Sequence, residues 1–108
     1  MTFKNYTPHT INETTTGVSF PSEGIARIST NSQHVGEANG IPFFTVTLGH
    51  VEGLPTPERD TFIIVSGMVF DASDRDDLVA PGDLIRNDEG NPIGCKGFRA
   101  KVSPTLEM

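Results

Sequence analysis

One stretch of this 108-residue chain, Thr61 to Asp83, places the strongest limits on its fold. It opens with the longest apolar run in the protein, Phe62 to Val65, where β-branched and aromatic side chains predict a central strand. The remainder of the chain is therefore expected to be organised around a buried strand.

Behind this strand the pattern changes to that of a short helix. Ser66 is expected to cap its N-terminus, because a serine side chain can accept a hydrogen bond from the first helical turn. Met68, Val69 and Ala72 recur at offsets that suit one buried helical face. The helix leads into a charged loop, Asp71 to Asp77, which holds four aspartates and one arginine.

The chain contains 11 glycines and 8 prolines, which are spread along its length rather than clustered. This distribution is typical of short strands that are connected by turns. Hydrophobic residues make up 35% and tryptophan is absent, so a modest core based on seven phenylalanines is expected. We predict one α+β domain over 1–108, mainly β: a small antiparallel sheet or partly open barrel with one short helix after the central strand. Residues 103–108 are expected to be a loose tail.

Alternation of apolar and polar side chains predicts most of the remaining strands. An N-terminal three-stranded meander is expected over residues 9–12, 18–20 and 25–29. A polar connection then leads to Asn39–Gly40, a strong hairpin signal. The strand after it, 41–48, carries Phe44, Val46 and Leu48 on one face.

The C-terminal part reads as a turn followed by a hairpin. Pro81–Gly82 is expected to turn the chain into two paired strands, 83–86 and 93–98. Gly90 is available for a positive φ in the turn between them.

The charge balance and cysteine content limit the partners and the compartment. A net charge of −6 argues against duplex nucleic acid, because phosphate binding needs a basic surface. Cys95 is the only cysteine, which excludes an intramolecular disulfide and suits a reducing compartment. No signal peptide or membrane span is predicted. We expect a soluble cytoplasmic protein without a membrane partner.

The aspartate loop admits three interpretations. Solvated turn chemistry with Arg75 neutralising its neighbours is favoured over a divalent-cation site, since the EF-hand pattern fails. In the third interpretation, Arg75 is an anion-binding fork that the flanking aspartates hold in place. Arg86 and Lys96 lie on opposite strands of the predicted C-terminal hairpin and could approach each other. The candidate ligand-binding residues are His9, Arg75, Asp76, Asp77, Arg86 and Lys96.

No complete catalytic or metal-binding pattern is present. The three histidines lack zinc-ligand spacing, and Cys95 is not in a CxxC pair. Ser66 fails the GxSxG test because Ile64 occupies the first glycine position. No catalytic residue, metal or cofactor is therefore predicted, and a non-enzyme is favoured over an enzyme.

Six segments form a recognisable order: Asn5–His9, Gly53–Pro57, Ile64–Ser66, Arg75–Leu78, Pro81–Gly82 and Arg86–Cys95. Together they resemble a family of small uncharacterised proteins of bacteria, prophages and phages. Its members read approximately N-L-T-P-H, G-L-P-x-P, Y-I-V-S, R-x-D and R-D-x-x-G-x-I-I-G-C. The resemblance implies a phage or mobile-element setting, and hence the host cytoplasm for a phage-encoded chain. The resemblance assigns no catalytic residues to this chain.

Three functions follow as hypotheses. The first is a non-enzymatic binder of a small anionic ligand, such as a phage protein that sequesters a nucleotide signal of host immunity. The second is a structural or host-protein-binding module, such as a virion accessory or an inhibitor. The third and weakest is a metal-assisted hydrolase with His9 or Asp76 as its base. A homo-oligomer is also expected, with the strand at Phe43–Val46 in the interface, because it is apolar or β-branched on both faces. The alternative is that the N-terminal meander and the helix after Ser66 cover both faces within one chain.

Overall fold

The computed structural model describes residues 1–102, which form eight strands and one helix. The predicted loose tail, 103–108, lies outside the described residues. The elements in chain order are β1 (Thr2–Asn5), β2 (Ile11–Glu13), β3 (Val18–Phe20), β4 (Arg27–Ala38), β5 (Ile41–Glu52), β6 (Thr61–Ile64), α1 (Gly67–Ala72), β7 (Leu78–Arg86) and β8 (Pro92–Ala100).

Six strands form one sheet in the order β1-β6-β7-β8-β2-β3, and β4 and β5 form a separate two-stranded sheet. The β1–β6, β6–β7 and β2–β8 pairs are parallel, whereas β7–β8 and β2–β3 are antiparallel. The two ends of the large sheet approach each other, since Asn5 forms a β-bridge with Ser22 just after β3. The sheet is nearly closed, so the predicted β-rich fold with a partly open barrel and one short helix is confirmed.

The run that predicted a central strand is β6, which is buried along its whole length. Its side chains alternate between two cores. Ile63 and the following Val65 pack with the helix and β7, whereas Phe62 and Ile64 pack against the barrel interior. A cluster of phenylalanines fills that interior, with ring centroids 5.6 to 5.9 Å apart; its members are Phe3, Phe20, Phe62 and Phe98.

Helix α1 begins where the sequence predicted but buries a different face. The Ser66 hydroxyl accepts a hydrogen bond from the Val69 backbone N–H at 3.3 Å, which confirms the cap. The buried residues are Val69 and Phe70, whereas Met68 is 57% exposed and Ala72 is exposed. The prediction for Met68 and Ala72 was wrong because a six-residue helix packs only the side chains that meet its neighbouring strands.

The predicted three-stranded meander was also wrong. The second and third predicted strands do not pair: β3 pairs with β2, and residues from Arg27 onward belong to the long strand β4. The polar connection expected over 31–39 is largely part of β4, because its backbone pairs with β5 along nearly the whole length. Polar side chains are compatible with a strand when neither face is covered.

Pro81 and Gly82 do not end a strand as predicted, since both lie inside β7. A Cβ atom at Gly82 would come within 2.5 Å of the Lys96 carbonyl oxygen. The missing side chain therefore lets β7 and β8 approach closely, which explains the glycine without a turn. The C-terminal hairpin itself is confirmed, with Gly90 at a φ of 83° in its turn.

Within residues 1–102, no helix is long and apolar enough to cross a membrane.

Candidate functional site

The most unusual surface of the molecule is the outer part of the β4–β5 hairpin, residues Thr30 to Leu48, which we call the arm. Its turn is at Asn39 and Gly40, whose φ values of 55° and 78° confirm the predicted tight turn. Strands of this length reach about 30 Å from base to tip. The described molecule accordingly measures 54 × 37 × 23 Å.

Every residue of the arm is exposed except Gly36, which is half-buried. The exposed residues include large apolar side chains at more than half of their full accessibility, which in a soluble domain normally mark a contact surface. These are Val35 (56%), Ile41 (60%), Phe43 (55%), Phe44 (57%), Val46 (61%) and Leu48 (52%).

The register of the hairpin sorts these side chains onto two faces. Phe44, Val46 and Leu48 lie opposite His34, Ser32 and Thr30, and the His34 and Phe44 rings are 5.4 Å apart. This row, which we call the Phe44 face, is apolar on β5 from Phe44 to Leu48, whereas its partners on β4 are polar. The opposite face carries Phe43 near the tip but threonines at 45 and 47 nearer the base. The predicted two faces of this strand are therefore present, but neither is covered within the described chain.

The base of the hairpin, in contrast, is fixed to the body of the protein. Val51 packs against the buried cluster that contains Ala26 and Val65. The His50 backbone N–H donates to the Ser29 hydroxyl at 3.0 Å. At Gly53, with a φ of 86°, a Cβ atom would come within 2.4 Å of the Ile25 carbonyl oxygen. The arm thus projects from an anchored base.

The candidate ligand-binding residues fall in separate places. Arg75, Asp76 and Asp77 line a cleft of about 760 Å³ beside Arg59, which we call the first cleft. His9 lines a second cleft of about 550 Å³ beside Ile11, Leu84 and Cys95.

Arg86 and Lys96, the two bases of the C-terminal hairpin, line neither of these clefts. Arg86 pairs with Pro92, whereas Lys96 pairs with Asp83, so the two bases are separated by about three residues, or roughly 10 Å, along the ladder. The Arg86 guanidinium donates to the Gly90 carbonyl oxygen at 2.8 Å. The sequence left open whether these bases cluster beside Arg75, and neither of them lines the cleft that contains Arg75.

Arg75 forms contacts that stabilise the loops around it. Its guanidinium forms a bidentate ion pair with the Asp77 carboxylate, with N–O distances of 2.9 and 2.6 Å. A third donor reaches the Pro55 carbonyl oxygen at 3.0 Å. Arg75 therefore joins the charged loop to the Gly53–Pro57 segment. Three of its five donors are used within the chain, which leaves a smaller part of the fork for a ligand.

Sequence reasoning missed the most deeply buried polar side chain, Asn5, which is 0% exposed. Its amide nitrogen donates to the carbonyl oxygens of His9 and Phe20, both at 2.7 Å. Its amide oxygen accepts from the Thr7 backbone N–H at 2.9 Å and from the Thr7 hydroxyl at 2.7 Å. The Asn5–His9 segment is thus a hydrogen-bonded turn whose asparagine also holds the end of β3. The asparagine two residues before a threonine was the available signal, since such side chains commonly bond the backbone two residues on.

Glu13 is a second buried polar group that was not predicted. Its carboxylate accepts the Gly97 backbone N–H at 2.7 Å, the Thr15 and Thr16 backbone N–H groups at 3.0 and 2.7 Å, and the Thr16 hydroxyl at 2.9 Å. The Gly97 hydrogen bond is the main reason that the pKa of Glu13 falls from its ordinary 4.5 to about 2. The ionised carboxylate joins β2 to β8 across 84 residues of sequence.

Two further observations bear on chemistry at these sites. Burial raises the pKa of the Cys95 thiol, which lowers its thiolate fraction at neutral pH. Among residues 1–102, no group of three or more His, Cys, Asp or Glu side chains could hold a metal ion.

Comparisons with protein-family models, with curated proteins and with solved structures found no match.

Proposed function

We propose that this chain is a structural, protein-binding module and that the arm is its binding surface. The observation that carries the proposal is the row of exposed apolar side chains at Phe44, Val46 and Leu48, on a hairpin that residues 1–102 anchor at its base alone. Water-exposed aromatic and aliphatic groups gain free energy when a partner covers them, at about 25 cal/mol per Å². An isolated two-stranded hairpin is marginal in water, so the partner would also stabilise the arm itself.

Site-specific photocrosslinking in expressing cells tests this proposal. A photoreactive phenylalanine analogue replaces Phe44, and the matched control carries it at Met68, which is also 57% exposed but lies on the body. We expect a discrete protein adduct from position 44 at a yield at least about ten times that from position 68. Equal yields at the two positions would show that the arm has no preferred protein partner.

We further propose, as a second candidate, the binding of a small anionic ligand, including a nucleotide of host immunity in a phage setting. Arg59 and Arg75 line the first cleft, which supports this candidate. Four carboxylates line the same cleft and would repel an anion, so the arm is the better supported binding surface. They are Glu58, Asp60, Asp76 and Asp77.

Thermal-shift measurements with mono-, di- and cyclic nucleotides test this second candidate. At a ligand concentration about 100 times Kd, binding adds about 2.7 kcal/mol of stability, which raises Tm clearly. We expect Arg59→Gln to abolish the shift, and Arg86→Gln, outside the first cleft, to retain it. An unchanged Tm with every nucleotide at millimolar concentration would contradict the candidate.

A further inference from the structure

We propose that the partner of the arm is the arm of a second copy of this chain, with the two Phe44 faces packed together in an antiparallel, two-fold arrangement. This inference rests on the proposed function, since it takes the arm as the binding surface. It adds the identity of the partner, the face in contact and the direction in which the two arms run.

The distribution of charge favours a second copy over an oppositely charged partner. Glu37 is the only formally charged residue between Ile28 and Val51, although the whole chain carries −6. Two copies therefore repel each other through their bodies and very little through their arms. A surface made for a nucleic acid or another strongly charged partner would carry complementary charge, whereas this one is close to neutral.

The same charges select the antiparallel direction. When two arms pair in opposite directions about Val46, the anchored Val51 of each copy lies five residues from the axis, so the two bodies begin about 33 Å apart. That separation is several times the screening length of about 8 Å at physiological salt, so the repulsion between bodies is small. A parallel pairing would place the two acidic bodies side by side and is disfavoured.

The side chains of the Phe44 face can pack against those of a second copy that is related to the first by a two-fold axis. Val46 is central in the row, with Phe44 two residues towards the tip and Leu48 two residues towards the base. A two-fold axis through Val46 places Val46 against its copy and Phe44 against the partner's Leu48. Two-fold contacts are self-complementary by construction and are the commonest form of oligomer.

The available area fits a reversible dimer. The six side chains of this face (Phe44, Val46, Leu48, His34, Ser32 and Thr30), taken at about half exposure, present about 500 Å² per copy. Packing two faces buries about 1,000 Å² in total, which is below the roughly 1,200 Å² of a stable interface and within the range of weak, transient ones. The dimer is therefore expected at micromolar concentrations.

Light scattering between about 1 and 100 µM, with one variant on each face, tests the proposal. The chain is expected to approach twice its 11.7 kDa mass as concentration rises. Val46→Asp is expected to weaken the dimer at least about 100-fold, because each copy would bury an unpaired charge. Thr47→Asp adds the same charge to a β-branched position on the opposite face and is expected to leave the dimer intact. Unchanged thermal unfolding of the body serves as the folding control.

A cysteine crosslink tests the axis without adding charge. A short bismaleimide should join two Val46→Cys copies efficiently and two Thr47→Cys copies poorly, since the native Cys95 is buried in both variants. Three results would overturn the inference: an 11.7 kDa mass at 100 µM, a dimer that Val46→Asp leaves intact, or a dimer that only Thr47→Asp disrupts. If the purified chain stays monomeric while position 44 still crosslinks to a different protein, this inference fails and the proposed function stands. If both measurements are negative, both fail.

Discussion

Asn5→Asp lowers the free energy of unfolding by about 3 kcal/mol or more at pH 7. The substitution removes the amide donor that serves the His9 and Phe20 carbonyl oxygens, and it places a carboxylate oxygen against both of them. The loss of a donor at these part-buried carbonyls costs about 1 kcal/mol or more, and an unpaired carboxylate at the fully buried Asn5 position costs about 3 kcal/mol or more. In a domain of this size, a loss of 3 kcal/mol lowers Tm by about 12 °C or more.

Thermal and urea unfolding of the purified protein measure the effect. Asn31→Asp is the matched control, because it makes the same chemical change at an exposed position of the arm. The control is expected to stay within about 0.5 kcal/mol of the native protein. Equal stability of the two variants would mean that the Asn5 hydrogen bonds contribute little.

Glu13→Gln makes the protein less stable at pH 7, and the deficit shrinks as the solution becomes acidic. The ionised carboxylate accepts hydrogen bonds from three backbone N–H groups, whereas an amide must turn its own donors towards some of them. The folded pKa of Glu13 is about 2, below the ordinary 4.5. A carboxyl group with a lowered folded pKa contributes stability that is fully present above pH 4.5 and is lost as pH falls towards 2.

The measurement is Tm against pH from 7 to 2 for the native chain, Glu13→Gln and Glu89→Gln. Glu89 is exposed in the β7–β8 turn, so its variant is expected to follow the native curve. The Glu13→Gln curve should lie well below the native one at pH 7 and converge with it between pH 4.5 and 2. A difference that stays constant over the whole range would contradict the role assigned to the carboxylate.

If the arm pairs as proposed, folding stability and assembly depend on different parts of the chain. The core of the barrel is stabilised by the phenylalanine cluster and by hydrogen bonds of buried polar side chains, among them Asn5 and Glu13. The arm contributes little to that core and carries six of the large apolar side chains that remain exposed. Substitutions on the Phe44 face should therefore change assembly more than the stability of the body.

Several elements were predictable because the information lies within a few neighbouring residues. The apolar run at β6, the Ser66 cap and the tight turn at Asn39–Gly40 each depend on local side-chain chemistry, and all three are confirmed. The mainly β fold with one short helix follows from the same local signals and is confirmed as well. The predicted ligand residues are a different case, since their function depends on distances that no local pattern contains.

Only the tertiary structure decided which surfaces are covered and which strands meet. Residues 31–38 are polar, yet they form a strand because the backbone of β5 pairs with them, and side-chain periodicity does not record that pairing. The parallel contact of β1 with β6 and the Glu13–Gly97 hydrogen bond join residues about 60 and 84 positions apart. The alternation in β5 determined that Phe44, Val46 and Leu48 share a face. That this face is exposed depends on whether any other element reaches it, and such long-range packing is set by the whole fold.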